Sequence, residues 1–177
     1  SLSGDGLDQL RAAVAAMVQS LPARRDLARP RLYIDRVFAM AGRGAVVTGT
    51  SLSGRIAVGD DVMVYPKGLA GKIRGIQVHG KSVEMVEAGN RTAINIQGVE
   101  KEMIARGDVL ASRDCLRPSY MLDADFLYLS SNEKPIKNRS RVRVHLGTAE
   151  IMGRVVLLED EELVPGATAN VQLLLEE

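Results

Sequence analysis

One acidic and two basic residues have side chains that could form a small charged site. Asp35 and Arg36 are adjacent in a segment rich in strand-forming residues, and Arg91 follows a turn, Ala88-Gly89-Asn90. Adjacent residues of a strand point to opposite faces of a sheet unless a β-bulge intervenes. By residue type alone, the commonest arrangement is a surface ion pair beside a solvated arginine. Because arginine stays cationic and is weakly hydrated, the alternative is a site for an anionic group.

Basic residues recur at alternate positions in a second segment: Lys137, Arg139, Arg141, Arg143 and His145. If the segment is extended, all five side chains face one way and the intervening valines face the other. A one-sided basic series is the pattern expected for contacts with nucleic-acid phosphates. The alternative is an ordinary exposed face that Glu133 or Glu150 partly neutralises.

Other site chemistries have little support. Two histidines, at 79 and 145, and one cysteine give no metal-ligand spacing, so no metal site is predicted. No nucleophile-elbow pattern occurs. Residues 75–82 have the spacing Gly-x-x-x-x-Gly-Lys-Ser, but they fall in the strand expected at 72–79 and the turn expected at His79-Gly80, so we predict no phosphate loop there. We therefore predict no catalytic residue in this chain and no hydrolysis of GTP by it.

The composition is compatible with one or two small domains. The 177 residues are 46% hydrophobic and 25% charged, which is enough for a buried core. The net charge is +1, so any contact with RNA must come from a local basic patch. A single cysteine excludes an internal disulfide, and the sequence has neither an 18-residue apolar run nor a basic leader. These features predict a cytoplasmic location.

Hydrophobic spacing predicts one helix and then strands. Residues 7–21 have helical periodicity, with Ser3 or Asp5 as the expected N-cap, and a polar connector follows at 22–30. Residues 34–50 predict a β-hairpin around a glycine-containing turn. Short strands are expected at 32–40, 45–52, 61–65, 72–79, 91–97 and 108–113, with a helical turn near 101–106. A second unit begins at Pro118, with strands at 120–130, 140–146, 150–158 and 167–175. Such regular short strands indicate a sandwich or a closed barrel.

The order of these motifs resembles the second domain of the translational GTPases, the barrel that holds the aminoacylated end of a tRNA. The motifs are Asp-Arg-Val-Phe at 35–38, Gly-Arg-Gly at 42–44, Val-Val-Thr-Gly-Thr at 46–50 and Gly-Arg-Ile-Ala-Val-Gly-Asp at 54–60. Asp35-Arg36 stands where elongation factor Tu has two acidic residues, and in this respect the chain resembles the selenocysteine-specific elongation factors.

The resemblance extends to both ends of the chain and implies its organisation. Residues 1–10 resemble the passage that opens the last helix of the GTPase domain, and residues 153–158 and 164–166 resemble the third domain. The implied fold is mainly β: two small elongation-factor-type β-barrels, the second one truncated, preceded by one α-helix. The implied division is 1–29 for the helix and linker, 30–116 for domain II and 117–177 for part of domain III. A truncated third domain would leave residues 167–175 as an unpaired edge strand.

The resemblance also implies site residues and partners. Asp35, Arg36 and Arg91 would line the pocket for the selenocysteyl group, whose selenol is largely anionic at neutral pH. Five further positions would form the pocket for the terminal adenosine: Met40, Gly42, Gly44, Val46 and Gln77. The basic series at 137–145 would lie against the tRNA stem. The implied partners are selenocysteyl-tRNA, the ribosome and the GTPase domain of the same protein; that domain would bind GTP and magnesium, and this chain would bind no cofactor.

Two alternatives stay open at this point. The barrels could belong to another member of the superfamily, either a different aminoacyl-tRNA carrier or the GTPase subunit of a sulfate-adenylylating enzyme. They could also form a protein-interaction module with no role in RNA binding. Asp35-Arg36 together with Arg91 is the feature that favours the selenocysteine-specific factors.

Overall fold

A single helix precedes the strands. The computed structural model describes residues 3–22, 29–40 and 44–176, apart from the side chain of Met40. Helix α1 spans Leu7–Ser20, as its periodicity predicted. The expected side-chain cap is wrong: Gly6, with φ 82°, is the N-cap, and no side chain caps the helix. Every residue of α1 is exposed, so within the described residues the helix contributes no buried side chain to either core.

The first group of strands forms a closed barrel. Its strands are β1 (Arg31–Met40), β2 (Gly44–Ser53), β4 (Asp61–Tyr65), β5 (Leu69–Val78), β6 (Lys81–Val83), β8 (Arg91–Gln97) and β9 (Val109–Ser112). Their order is β4-β9-β1-β2-β8-β5-β6, and pairing of β4 with β5 closes six of them into a ring. Two short strands, β3 (Arg55–Ala57) and β7 (Met85–Glu87), pair beside the barrel, and a 3₁₀ turn spans Lys101–Met103. The mainly β, barrel-forming fold is confirmed.

Alternation of side chains fills the barrel interior with branched aliphatic residues. In β2 and β8 every second residue is buried. Leu32, Ile34, Val47, Ile94 and Ile96 are fully inaccessible to solvent. Because these side chains fill the interior, a ligand site on this barrel must lie on its surface and not inside it.

The second group of strands forms a smaller, open sheet. It contains β10 (Met121–Leu127), β12 (Ser140–Leu146), β13 (Ala149–Leu157) and β15 (Thr168–Leu175), in the order β10-β15-β13-β12. Strands β11 (Ile136–Lys137) and β14 (Glu162–Leu163) pair separately, and Val155, Leu157, Leu163 and Val171 form a second core. The expected unpaired edge at 167–175 is wrong, because β15 pairs with β10 on one side and with β13 on the other. The edges of this sheet are β10 and β12.

The turn that joins β12 to β13 contacts the first barrel. The Thr148 hydroxyl donates a hydrogen bond to the carbonyl oxygen of Ile34, with an oxygen–oxygen distance of 2.7 Å. The backbone of Gly147 packs on the ring of Tyr33. In the part of the chain that the structure describes, no helix is long and apolar enough to cross a membrane.

Candidate functional site

A β-bulge at Asp35 decides which way the charged side chains point. In the pairing of β1 with β2, Ile34 lies opposite Gly49 and Arg36 lies opposite Thr48, so Asp35 is the extra residue. Ile34 points into the core, and Val37, three positions later, also packs against it. Both residues between them therefore face outward. The bulge places the side chains of Asp35 and Arg36 on the same outer face of the barrel.

The carboxylate of Asp35 is held from two neighbouring strands. Arg91 Nη1 donates a hydrogen bond to Asp35 Oδ2, and Arg91 Nη2 donates one to Oδ1 at 3.2 Å. Thr48 Oγ1 donates a third bond to Oδ1 at 2.7 Å. The hydrogen bond from Arg91 is the largest cause that lowers the pKa of Asp35; burial opposes it, and the Thr48 hydroxyl adds to it. Asp35 is therefore an anion with a fixed orientation.

Arg36 contributes a second cation, and this one has no acidic partner among the described residues. It is exposed, and with the other described residues it makes no side-chain hydrogen bond or ion pair. Its charge is a minor cause of the lowered pKa of Asp35, so the two groups are close enough to interact. The site thus has one arginine that an internal carboxylate neutralises and one arginine whose donors are available to a ligand.

Cross-strand pairing continues this face over four strands. Arg36 lies opposite Thr48, Thr48 opposite Ala93, and Ala93 opposite Gln77. Arg91 lies two residues before Ala93 in β8, and so faces the same way. The structure therefore brings the three predicted aminoacyl-pocket residues onto one face with Gln77.

A cavity of about 470 Å³ lies on the same face. Val46, Gln77, Ala93 and Asn95 contribute to its wall. Two of the residues predicted for the adenosine pocket, Val46 and Gln77, are thus brought together at one cavity. Its size is within the range of pockets that hold a small organic group.

Within the described residues, the structure does not place the other three residues predicted for the adenosine pocket at this cavity. Gly42 and the side chain of Met40 lie outside the described residues. Gly44 opens β2 with φ 78°, and a Cβ at this position would lie 2.6 Å from the carbonyl oxygen of Ile96. This close approach of two backbones explains the glycine, and Gly44 is not among the residues that line the cavity.

Sequence reasoning missed two charged residues in the wall of this cavity. Arg74 and Glu84 both line it. Arg74 is the extra residue of a second irregularity, between Ile73 and Gly75 in the pairing of β5 with β8. Glu84 lies between the short strands β6 and β7. Neither a bulge nor such a short strand connection leaves a periodic signal, so the sequence pattern contained nothing that identified them.

The basic series is divided in the structure. Arg139 has φ 62° and lies between β11 and β12, so residues 137–145 are not one extended segment. Arg141, Arg143 and His145 share one exposed face of β12, whereas Lys137 belongs to β11.

Two members of the series have acidic partners. Arg141 donates two hydrogen bonds to Glu176, at 2.9 and 2.6 Å, and this contact lowers the pKa of Glu176. Arg143 Nε lies 3.0 Å from Glu150 Oε1, which is the neutralisation that the alternative interpretation expected. The other three, Lys137, Arg139 and His145, are exposed and make no side-chain hydrogen bond or ion pair with another described residue. Within the described ranges, no group of three or more His, Cys, Asp or Glu residues could hold a metal ion.

The barrel segment of the chain matches a known sequence family. Residues 44–111, which run from β2 to β9, match the sequence family described as elongation factor Tu domain 2. This stretch supplies most of the closed ring and the wall of the cavity. The fold of this barrel is therefore of the elongation factor Tu domain 2 type.

The chain is similar in sequence to two selenocysteine-specific elongation factors and to an elongation factor Tu. The chain is 40% identical over 171 residues to the selenocysteine-specific elongation factor of Desulfomicrobium baculatum, covering 97% of this chain and 27% of that protein. It is 34% identical over 160 residues to the Escherichia coli K12 protein of the same name, covering 89% of this chain and 25% of that protein. Elongation factor Tu 2 of Streptomyces avermitilis is 31% identical over 184 residues, with 99% of this chain and 47% of that protein covered.

Solved structures show the same fold over both groups of strands. The structure of elongation factor SelB from Methanococcus maripaludis, in its apo form, matches with a TM-score of 0.83 and 26% identity, covering 97% of this chain and 41% of that one. A bacterial selenocysteine-specific elongation factor matches in fold with a TM-score of 0.79 and 24% identity, covering 99% of this chain and 28% of that one. The chain is a homologue of the selenocysteine-specific elongation factors and spans about a quarter of the length of the two sequence relatives of that name.

Proposed function

We propose that this chain is the tRNA-binding part of a selenocysteine-specific elongation factor, which binds selenocysteyl-tRNA and delivers it to the ribosome in the cytoplasm. The observation that carries the proposal is the bulge at Asp35, because it gathers Asp35, Arg36 and Arg91 on one outer face beside a cavity. In the parent protein a separate GTPase domain would bind GTP and magnesium. We propose the division 1–29, 30–116 and 117–177 for the helix with its linker, domain II and part of domain III.

The chemical basis of selectivity is charge matching. A selenol is more acidic than a thiol or an alcohol, so a selenocysteyl side chain is largely anionic at neutral pH and a seryl side chain is neutral. Arg36 can donate to the selenolate without first losing another partner. A hydrogen bond to a charged group contributes roughly 1.5–3 kcal/mol, and about 1.4 kcal/mol is a tenfold change in affinity. One such contact is therefore sufficient for roughly tenfold to hundredfold preference over serine.

Asp35 supplies the complementary charge. The α-amino group of an aminoacyl ester is a cation when protonated, and it can donate to a carboxylate that is already ionised and oriented. Since Asp35 also binds Arg91, the ammonium group and Arg91 would share its two oxygens. A shift of Arg91 toward the selenolate would then accompany binding, so that each charge of the ligand meets an opposite charge.

The neighbouring surfaces would hold the rest of the tRNA. The cavity beside Val46 and Gln77 is proposed to take the terminal adenosine. The exposed face of β12 and the cations at Lys137 and Arg139 are proposed to contact the phosphates of the stem. Phosphate contacts of this kind add affinity without regard to the amino acid.

Titration of selenocysteyl-tRNA and seryl-tRNA against the full-length protein that carries this chain tests the proposal. The wild type should prefer the selenocysteyl form. Arg36→Ala and Arg91→Ala should each lose most of that preference and retain binding of seryl-tRNA. Arg113→Ala, which removes an exposed arginine outside the site, is the control and should behave as the wild type. A wild type with no preference, or arginine variants that keep it, would refute the proposed basis of selectivity.

A second candidate is a carrier for ordinary aminoacyl-tRNAs. The similarity to an elongation factor Tu over 99% of the chain favours it. This candidate predicts comparable affinities for the two tRNAs and no special role for Arg36. The same titration therefore distinguishes the two functions.

A further inference from the structure

The turn between β12 and β13 packs directly against the strand that carries the candidate aminoacyl site. A Cβ atom built on Gly147 would lie 2.4 Å from carbon atoms of the Tyr33 ring, so only a glycine allows the turn to come this close. The φ of Gly147 is 62°, which also favours glycine. The next residue, Thr148, donates its hydroxyl hydrogen to the carbonyl oxygen of Ile34 at 2.7 Å.

The hydrogen bond from Thr148 acts on the backbone next to Asp35. The carbonyl of Ile34 belongs to the peptide group that joins Ile34 to Asp35, so the Thr148 hydroxyl binds the chain at its entry into the bulge. The same oxygen accepts the amide hydrogen of Gly107 at 3.0 Å, and the Ile34 amide donates to the carbonyl of Asp108 at 2.9 Å. Two donors occupy the two lone pairs of the Ile34 oxygen, and this fixes the plane of the peptide.

Of these contacts, only the bond from Thr148 comes from the second sheet. Gly107 and Asp108 lie just before β9, in the same barrel as Ile34. The orientation of Asp35 therefore depends on its own barrel and, through one side chain, on the smaller sheet. A displacement of the Ile34–Asp35 peptide is transmitted to a carboxylate that has to meet Arg91 and Thr48 at once.

We propose that Thr148 is a positioning residue for the aminoacyl site. Its hydroxyl holds the Ile34–Asp35 peptide in place and, through it, the carboxylate that binds Arg91. The inference rests on the proposed function insofar as the ligand is an aminoacyl group. It adds a determinant of selectivity that lies outside the first barrel and touches neither the tRNA nor the amino acid. Sites of this kind lose specificity when a supporting contact is removed, because the charged groups are no longer held at the productive distance.

A purely structural role for Thr148 makes a different prediction. If the bond only attaches the two sheets to each other, its removal lowers stability and leaves the geometry around Asp35 unchanged. The ionisation of Asp35 separates the two cases, because the pKa of this carboxyl is lowered by its contact with Arg91. The charged and polar groups that act on Asp35 are Arg91, Thr48 and Arg36, and none of these three forms a hydrogen bond with Thr148.

The first measurement is an NMR titration of the Asp35 carboxyl in the 177-residue chain. Thr148→Val removes the hydroxyl and keeps the shape of the side chain, whereas Thr148→Ser retains the donor. We expect Thr148→Val to raise the pKa of Asp35 toward its ordinary value, and Thr148→Ser to leave it at the wild-type value. Thr168→Val, an exposed threonine of β15, is the control and should cause no change. An Asp35 pKa in Thr148→Val equal to that of the wild type overturns the inference. If Thr148→Val does not fold, Thr148→Ala removes the same donor and is read in the same way.

The second measurement is the ratio of the affinities for selenocysteyl-tRNA and seryl-tRNA in the full-length protein. We expect Thr148→Val to reduce this ratio at least threefold, chiefly through weaker binding of selenocysteyl-tRNA, and Thr148→Ser to restore it. An unchanged ratio in Thr148→Val overturns the inference. If the wild type itself shows no preference, the proposed function fails, and the titration of Asp35 still decides whether Thr148 positions the carboxylate.

Discussion

The guanidinium of Arg91 forms a two-point contact with the carboxylate of Asp35, although the two residues are 56 positions apart in the sequence. The contact joins β1 to β8 across β2, which lies between them in the barrel. The fork of an arginine matches the two oxygens of a carboxylate, so the pair fixes orientation as well as charge. This pair is the structural centre of the proposed site.

Replacing Asp35 by asparagine should change how stability depends on pH. The pKa of Asp35 is lower in the folded protein than its ordinary value, so the unfolded chain takes up a proton first as the pH falls. The stability that this group contributes is therefore complete above about pH 4 and is lost as the pH falls through the folded pKa. We expect Asp35→Asn to be less stable at pH 7, by no more than about 1 kcal/mol because the ion pair is partly exposed, and to lose less stability on acidification.

Urea unfolding at a series of pH values measures this effect. Glu176 also has a lowered pKa through Arg141, so part of the acid dependence should remain in Asp35→Asn. Equal acid dependence of the variant and the wild type would show that Asp35 is not held by Arg91 in solution.

The hydroxyl of Thr48 should matter more than that of its neighbour Thr50. Thr48 Oγ1 donates to Asp35 at 2.7 Å, whereas Thr50 makes no side-chain hydrogen bond with any described residue. Thr48→Val should therefore lower the free energy of unfolding by roughly 0.5–1.5 kcal/mol, the usual net contribution of one hydrogen bond, because the carboxylate is only partly buried. Thr50→Val, on the same face of the same strand, should be close to neutral. Similar losses in both variants would mean that the effect arises from strand propensity and not from the contact with Asp35.

Substitution by alanine should destabilise the fold at Gly49 and leave its stability unchanged at Gly75. A Cβ on Gly49 would lie 2.1 Å from the carbonyl oxygen of Tyr33, so Gly49→Ala should be severely destabilising, by more than about 3 kcal/mol. A Cβ on Gly75 would meet nothing within 4 Å, and Gly75 lines the cavity proposed for the adenosine. Gly75→Ala should therefore fold normally and bind tRNA more weakly whatever the amino acid.

Thermal unfolding and tRNA titration of the two glycine variants check these outcomes. Normal stability of Gly49→Ala would contradict the close approach of β1 and β2. Unchanged tRNA affinity of a folded Gly75→Ala would exclude the cavity as the adenosine site.

The basic face of β12 should contribute affinity that depends on salt and not on the amino acid. The double variant Arg141→Ala, Arg143→Ala should weaken binding of selenocysteyl-tRNA and seryl-tRNA equally. The slope of log affinity against log salt should become shallower, by somewhat less than about 0.9 for each phosphate that the variant no longer neutralises. Glu150→Gln should strengthen binding at low salt, since it releases Arg143 from its ion pair. An unchanged salt slope in the double variant would remove this face from the proposed binding surface.

Much of the fold could be predicted because its signals are local. Alternation of buried and exposed residues located β2, β4, β8 and β12 within about a residue, and helical periodicity located α1. The N-cap could not be predicted because a glycine with positive φ opens the helix, and this conformation competes with the polar caps that the sequence offers. The short strands β3, β6, β7, β11 and β14 have two or three residues each, too few for a periodic pattern to appear.

The candidate site was only partly predictable for a related reason. Residue types and order identified Asp35, Arg36 and Arg91, but strict alternation places adjacent residues on opposite faces. The bulge that reverses this outcome depends on pairing with β2, at a position where Gly49 lies against Ile34. The same applies to Arg74, which a second irregularity turns into the cavity wall. Such features arise from contacts between distant segments and leave no trace in the spacing of a single strand.

The packed interior of the first barrel is separate from the charged groups on its wall. Exchanging the side chains at positions 35, 36 and 91 should consequently leave the aliphatic packing of Leu32, Ile94 and their neighbours intact. If the proposed site binds an aminoacyl group, the same barrel could be adapted to ligands of different charge through changes on its surface alone. Engineering this chain toward a new amino acid should begin with those three positions and with Thr148, which supports them from the adjoining sheet.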